Sequence, residues 1–282
     1  MLKYGDQIGI VCCSNGQKCS YGEKLECLEG ILLKMGLHAA YSGCIYEKEN
    51  GFGGTAQERA RELMKFYKDD RIKGIFDISG GDIANGILPY LDYDVIADSG
   101  KLFWGYSDLT TVINAVYTKT GKASVLYQIR NLLYGHISIF RNTVLDGGDG
   151  LFRINYRFLQ QEEMQGIVVG GNIRCFLKLA GTEFMPDLDG KILLLESYHG
   201  TPTQIETYLR QLQQLGAFEK AAGILLGTFT QMEAEKCTPT VETLIREIAG
   251  KELPIAVTPD IGHGTDSKAI IIGQKLHLVE GV

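Results

Sequence analysis

Leu102-Phe103-Trp104-Gly105-Tyr106-Ser107-Asp108-Leu109 is an apolar run that stops on a glycine and gives way at once to a helical pattern. Leu109, Val112, Ile113, Val116 and Tyr117 follow at i, i+3, i+4, i+7 and i+8, so Ser107 stands at a strand-to-helix corner. Such a corner lifts a hydroxyl clear of a sheet's carboxyl edge. The next amide, of Asp108, opens a helix whose unpaired N–H groups can hold an oxyanion. The G-x-S-x-G form of this corner has a second glycine, and here Leu109 takes its place. On the motif alone, Ser107 is either a nucleophile or a plain helix N-cap.

Outward from this corner the chain alternates between strand and helix. Ile8 to Cys13 reads as a buried strand, followed by the turn Ser14-Asn15-Gly16 and a helix carrying Leu25, Leu28, Ile31, Leu32 and Met35 on one face. A second strand at His38 to Tyr41 leads through a glycine-rich loop to Thr55-Ala56-Gln57-Glu58, a capping box. Gly74 to Ile78 is a third strand ending in Ser79-Gly80-Gly81, Leu102 to Tyr106 a fourth and Ser124 to Tyr127 a fifth. This alternation predicts a doubly wound parallel sheet with its site at the strands' carboxyl ends. The polar stretch Asp146-Gly147-Gly148-Asp149-Gly150 reads as a linker, giving domains 1–145 and 165–282 around a linker 146–164. The second domain reads as a smaller α+β unit. Its strands fall at Ile167 to Val169, Lys191 to Glu196 and Ala222 to Gly227. Three short ones, at Ile255 to Val257, Ala269 to Ile272 and Leu276 to Val279, close a barrel-like sheet.

With 282 residues, 45% of them hydrophobic and 22% charged, the chain can bury a sizeable core. Its net charge of −6 and the absence of any Lys/Arg cluster argue against a nucleic-acid or anionic-membrane partner. No run approaches the roughly 18 apolar residues of a spanning helix, and the opening Met1-Leu2-Lys3-Tyr4-Gly5-Asp6 lacks the apolar stretch of a signal peptide. A cytoplasmic protein is expected. Seven cysteines without paired CxxC spacing indicate neither a disulfide framework nor a thiolate metal site, so they are expected reduced. Cys12 and Cys13 point to opposite faces of their strand as core filler.

A serine hydroxyl needs a base, and the base needs an orienting group. His263 lies in Asp260-Ile261-Gly262-His263-Gly264, whose flanking glycines favour an exposed loop able to approach another domain. His277 alternates with Leu276 and Leu278 and suits a solvent-facing strand, while His38 and His136 offer nothing comparable. Glu196 directly follows four aliphatic residues, Ile192 to Leu195, at a strand's carboxyl end, the place for an orienting acid or for a hydrogen-bonded strand end. His199, three residues on, is the local rival to His263. For the oxyanion, Asp108 supplies one amide and Gly80-Gly81 allows a second, from Gly81 or Asp82.

Together these residues resemble the L,D-carboxypeptidase family of serine peptidases, which also includes the microcin-immunity peptidases. The likeness runs through most of the chain. It is carried by Gly5-Asp6-Gln7-Ile8-Gly9-Ile10-Val11, Ile87-Leu88-Pro89-Tyr90-Leu91-Asp92-Tyr93-Asp94, Gly105-Tyr106-Ser107-Asp108, Gly170-Gly171-Asn172 with Gly181-Thr182, Leu193-Leu194-Leu195-Glu196 and Gly262-His263. The resemblance implies a flavodoxin-like amino-terminal domain carrying Ser107 and a carboxyl-terminal domain carrying Glu196 and His263, with the site in the cleft between them. It implies oxyanion amides at Gly81 and Asp108, substrate contacts at Gly80 and Asp82, no metal or other cofactor, and commonly a homodimer. The implied substrate is a small peptide of murein type, cleaved beside a D-residue, or a peptide-nucleotide antibiotic. Two departures bear on specificity. Ser79 stands where many members have arginine before the two glycines, and Leu126-Tyr127-Gln128 stands where many have H-G-P. A non-catalytic peptide-binding protein and a general esterase are the rival readings.

Overall fold

Five parallel strands alternating with helices build the first sheet of the computed structural model, which describes residues 2–281. Met1 and Val282, the outer ends of the two expected domains, lie outside the described residues. The elements run β1 (Gln7–Val11), α1 (Gly22–Lys34), β2 (His38–Tyr41), α2 (Ala56–Lys68), β3 (Ile72–Asp77), α3 (Tyr93–Asp98), β4 (Phe103–Gly105), α4 (Thr110–Thr120), β5 (Ser124–Leu126) and α5 (Ile137–Val144). Strand order is β2-β1-β3-β4-β5, the flavodoxin-like arrangement. The capping box read at Thr55 is formed: its hydroxyl accepts from Glu58 N, and Glu58 returns a bond to Thr55 N.

The second half comprises β6 (Arg157–Gln160), β7 (Glu163–Asn172), α6 (Ile173–Leu177), β8 (Lys191–Ser197), α7 (Pro202–Gln214), α8 (Ala217–Lys220), β9 (Gly223–Phe229), α9 (Thr230–Ala234), α10 (Val241–Ala249), β10 (Ile255–Val257), β11 (Ile270–Ile272) and β12 (Lys275–Val279). Its sheet, a curled half-barrel, has the order β12-β7-β8-β9-β10-β6. The four central strands are parallel, and an antiparallel strand closes each edge.

Two stretches differ from the expected domain layout. Part of 146–164 is structured rather than free linker, because β6 pairs with β10 and covers that edge. The segment Ala269 to Ile272 joins the other sheet: β11 pairs antiparallel with β5. Its isoleucines alternate across that sheet, Ile270 and Ile272 joining one apolar core and Ile271 the other.

The first of those cores crosses both halves, running from Leu63 and Val112 through Val169 and Leu194 to Ile245. Helix α4 is the seam. Asn114 Nδ2 donates to Gly170 O and its Oδ1 accepts from Gly170 N, both at 2.8 Å, while Thr110 Oγ1 accepts from Asn172 N at 3.0 Å. Gly171, at φ +133°, permits this approach, since a Cβ there would lie 2.6 Å from Thr110 Oγ1. The helix that begins at the Ser107 corner is therefore bolted to the strand that precedes α6.

Candidate active site

Ser107 lies between β4 and α4 at φ +57°, a left-handed conformation that costs a non-glycine residue of order 1–2 kcal/mol. The tight corner explains Gly105: a Cβ there would meet the Cβ of Leu109 at 2.7 Å. Leu109 is fully buried, so the side chain in place of the motif's second glycine is accommodated by the first glycine's lack of one.

His263 Nδ1 is 2.7 Å from Glu196 Oε2, across a sequence separation of 67 residues. Glu196 closes the apolar β8 with no exposed surface, so its charge is desolvated and directed at the imidazole. The carboxylate accepts from Nδ1–H, which leaves Nε2 as the accepting nitrogen of the neutral ring. Tyr198 stacks on one face of His263 at 4.8 Å and Tyr106 meets it edge-on at 4.9 Å. The loop is rigid for local reasons. Ile261 O accepts from Thr228 N at 2.8 Å, and Ser267 Oγ accepts from Gly262 N at 3.0 Å. Gly262 is required there, because a Cβ would fall 1.7 Å from Thr228 Oγ1. The Tyr106 hydroxyl and Glu196 Oε1 are both out of water, and neither has a hydrogen-bond partner among the described residues. Burial first, then the Glu196 charge, pushes the Tyr106 phenol well above its ordinary pKa.

Ser107 and His263 line one cavity of about 400 Å³ together with Gly80, Tyr106, Gln128 and Tyr198. No hydrogen bond joins Ser107 to His263 among the described residues. The other four histidines do not line the cavity. His199 is exposed against Tyr198, His277 pairs with Glu163 on the surface, His38 opens β2 and His136 precedes α5.

Asp108 has a structural task beyond its amide. Its fully buried carboxylate accepts from Ser14 Oγ at 2.6 Å, Ala84 N at 2.8 Å and Lys178 Nζ at 2.5 Å. Lys178 also donates to Asp82 O at 2.9 Å, and Arg174 donates to Gly81 O at 3.2 Å and to the Asp82 carboxylate. The loop after β3 is thus pinned from α6. Gly81 sits at φ +127° and a Cβ there would lie 2.1 Å from Asn15 Oδ1, so both backbone and space require glycine. Neither the Gly81 nor the Asp108 N–H has a backbone or side-chain acceptor among the described residues. Gly80 lines the cavity, whereas the Asp82 carboxylate turns to Arg174, whose hydrogen bond holds it below the usual carboxylate range. Ser79 is fully buried. It donates to Asp77 Oδ1 and accepts from Ser14 N, so no side chain from position 79 enters the cavity.

Several residues here left little trace in the sequence. Arg174 and Lys178 are two basic residues in and just after a short helix, Tyr198 follows a strand end, and Arg130 follows Gln128 in a turn. Only their partners, 65 to 113 residues away, give them meaning. All seven cysteines are free, and Cys12 and Cys13 fall in different cores. No three His, Cys, Asp or Glu side chains converge as metal ligands among the described residues, and none of those residues forms a helix long and apolar enough to cross a membrane.

A flavodoxin-like half is joined to a half-barrel, and a left-handed serine and a histidine bonded to a buried glutamate line one cavity, the arrangement that a serine-peptidase family would provide. The chain belongs to the LD-carboxypeptidase family: residues 8–127 match its N-terminal domain and residues 165–278 its C-terminal domain. A Bacillus subtilis protein named "Probable murein peptide carboxypeptidase" is 27% identical over 97% of this chain and 89% of its own length. The microcin C7 self-immunity protein MccF of Escherichia coli is 27% identical over 79% of this chain and 76% of its own. Among solved structures, an MccF-like protein from Bacillus anthracis superposes with a TM-score of 0.87 at 26% identity, over 99% of this chain and 95% of that one.

Proposed function

We propose that this protein is a metal-independent serine carboxypeptidase that hydrolyses the amide before a terminal D-residue in murein-type peptides. One observation carries the reading: the buried Glu196 bonded to His263, which opens onto the cavity that Ser107 lines. His263 Nε2 takes the Ser107 proton as the hydroxyl oxygen attacks the amide carbonyl. The resulting oxyanion is held by the N–H groups of Gly81 and Asp108, each such donor being worth about 3 to 4 kcal/mol in the transition state. Collapse breaks the C–N bond, the His263 proton goes to the leaving amine, and an acyl-Ser107 ester remains. Water, deprotonated by His263, attacks that ester and regenerates the serine. Glu196 keeps the imidazole in one tautomer and stabilises its cationic form.

A second reading, cleavage of aminoacyl- or peptidyl-nucleotides, is favoured by the aromatic lining of Tyr21, Tyr134 and Tyr198, rings on which a base can stack. It is also favoured by the likeness to the self-immunity protein. Mass-spectrometric assay against a murein tetrapeptide and an aminoacyl-sulfamoyl nucleoside separates the two. Ser107→Ala is expected to abolish turnover while leaving the melting temperature nearly unchanged, and an active Ser107→Ala enzyme would overturn the mechanism. A protein that turns over neither substrate and leaves Ser107 unlabelled by fluorophosphonate would be a binding protein of this fold. The same reading carries a homodimer, checked by sedimentation, and a cytoplasmic site of action, with which the seven free thiols agree.

A further inference from the structure

We infer that Arg130 is the residue that binds the free terminal carboxylate of the substrate; this rests on the carboxypeptidase reading above. The cavity holding Ser107 and His263 is lined by no aspartate or glutamate, and Arg130 is its sole permanently charged side chain. Arg130 belongs to no ion pair among the described residues. Its Nε is out of water without a hydrogen-bond partner. A buried N–H without a partner costs free energy, and on a half-buried guanidinium at a cavity wall an anion entering the cavity would complete its bonding.

The surroundings hold the group in place without neutralising it. Nη1 donates to Gln17 Oε1 at a long 3.4 Å, and Gln17 is fixed at its other end by Ile78 O at 3.3 Å. The Tyr21 ring lies 5.7 Å from the guanidinium carbon. The Arg130 amide donates to Gln128 Oε1 at 3.3 Å, and Gln128 Nε2 in turn donates to Ser79 O at 3.3 Å. The turn bearing Arg130 is thereby tied to the strand end next to Gly80, whose neighbour Gly81 offers its N–H to the oxyanion. Every neutral partner is spent on orientation, and the charge itself stays uncompensated. A planar guanidinium fork matches a carboxylate bidentately, whereas a neutral carboxamide offers it a weaker acceptor. Position 79 cannot supply this charge, its side chain being buried against Asp77 and Ser14.

The test compares a tetrapeptide ending in a free carboxylate with the same peptide amidated at that end. Wild-type enzyme is expected to prefer the acid, with the preference expressed mainly in KM. Arg130→Gln is expected to raise KM for the acid about 10- to 100-fold, so that the two substrates converge. Arg130→Lys, which keeps the charge but not the fork, is expected to recover part of the preference and covers the case in which Arg130→Gln fails to fold. A variant that cleaves the peptide with undiminished preference for the acid overturns the Arg130 assignment and leaves the carboxypeptidase reading intact. A wild-type enzyme that cleaves neither peptide overturns both.

Discussion

Glu196 is buried near the end of β8, directly after four aliphatic residues, and its one hydrogen bond among the described residues goes to the imidazole of His263. Glu196→Gln keeps the shape of the side chain but removes the charge and allows its amide to favour the wrong imidazole tautomer. The expected result is a fall in kcat of about 10³- to 10⁴-fold with little change in KM. A fall of only a few-fold would show that His263 is oriented by its tyrosine neighbours and not by the carboxylate. The residue types were legible: a carboxylate after Ile192-Leu193-Leu194-Leu195 and a histidine between two glycines each asked for an explanation. Their pairing was not, since nothing local to either segment encodes a 2.7 Å contact 67 residues away. Arg130 was missed for the same reason, because an arginine in a turn is ordinary until its surroundings are found to lack a carboxylate.

Helix α4 shows how an element is recruited twice. Its amino end makes the Ser107 corner, and its buried face carries Asn114, which closes two hydrogen bonds onto the backbone of Gly170. Asn114→Ala leaves a buried N–H and a buried carbonyl without those partners, at a cost of about 2 to 4 kcal/mol. The expected readout is a lower urea midpoint together with reduced kcat, since the seam fixes the corner against the second half. Undiminished stability would mean that water or a local shift replaces both bonds. The periodicity of α4 is plain in Leu109, Val112, Ile113 and Val116, whereas nothing in the sequence around Asn114 marks its partner 56 residues away. Strand β11 was also visible as a strand, but three isoleucines in a row suit either sheet. Only the exposed edge of β5 decided where it went.

Across the whole molecule, the two halves meet through charge as well as apolar surface. Arg174 in the second half holds the Asp82 carboxyl of the first below its ordinary pKa. A carboxyl depressed in the folded state stabilises the protein above the unfolded value of 3.8, and that stability is lost as pH falls through the folded pKa. Arg174→Gln is therefore expected to lower stability at pH 7 by no more than about 1 kcal/mol, the pair being exposed. The difference from wild type should vanish once pH drops below the carboxylate range, as followed by melting temperature against pH. A difference that persists in acid would assign the role of Arg174 to its bond with Gly81 O rather than to the ion pair.

Local sequence sets the elements and the chemistry-bearing side chains, because apolar periodicity, capping residues and glycines at tight corners act over a few residues. It also carried the family, through motifs spread over most of the chain. Tertiary structure alone decided which sheet each late strand joined, which histidine the buried glutamate met, and that Lys178 and Arg174 brace the loop of Gly81. Those outcomes depend on desolvation and on the approach of segments far apart in the chain. Their energies exist only once those segments have been brought together by folding.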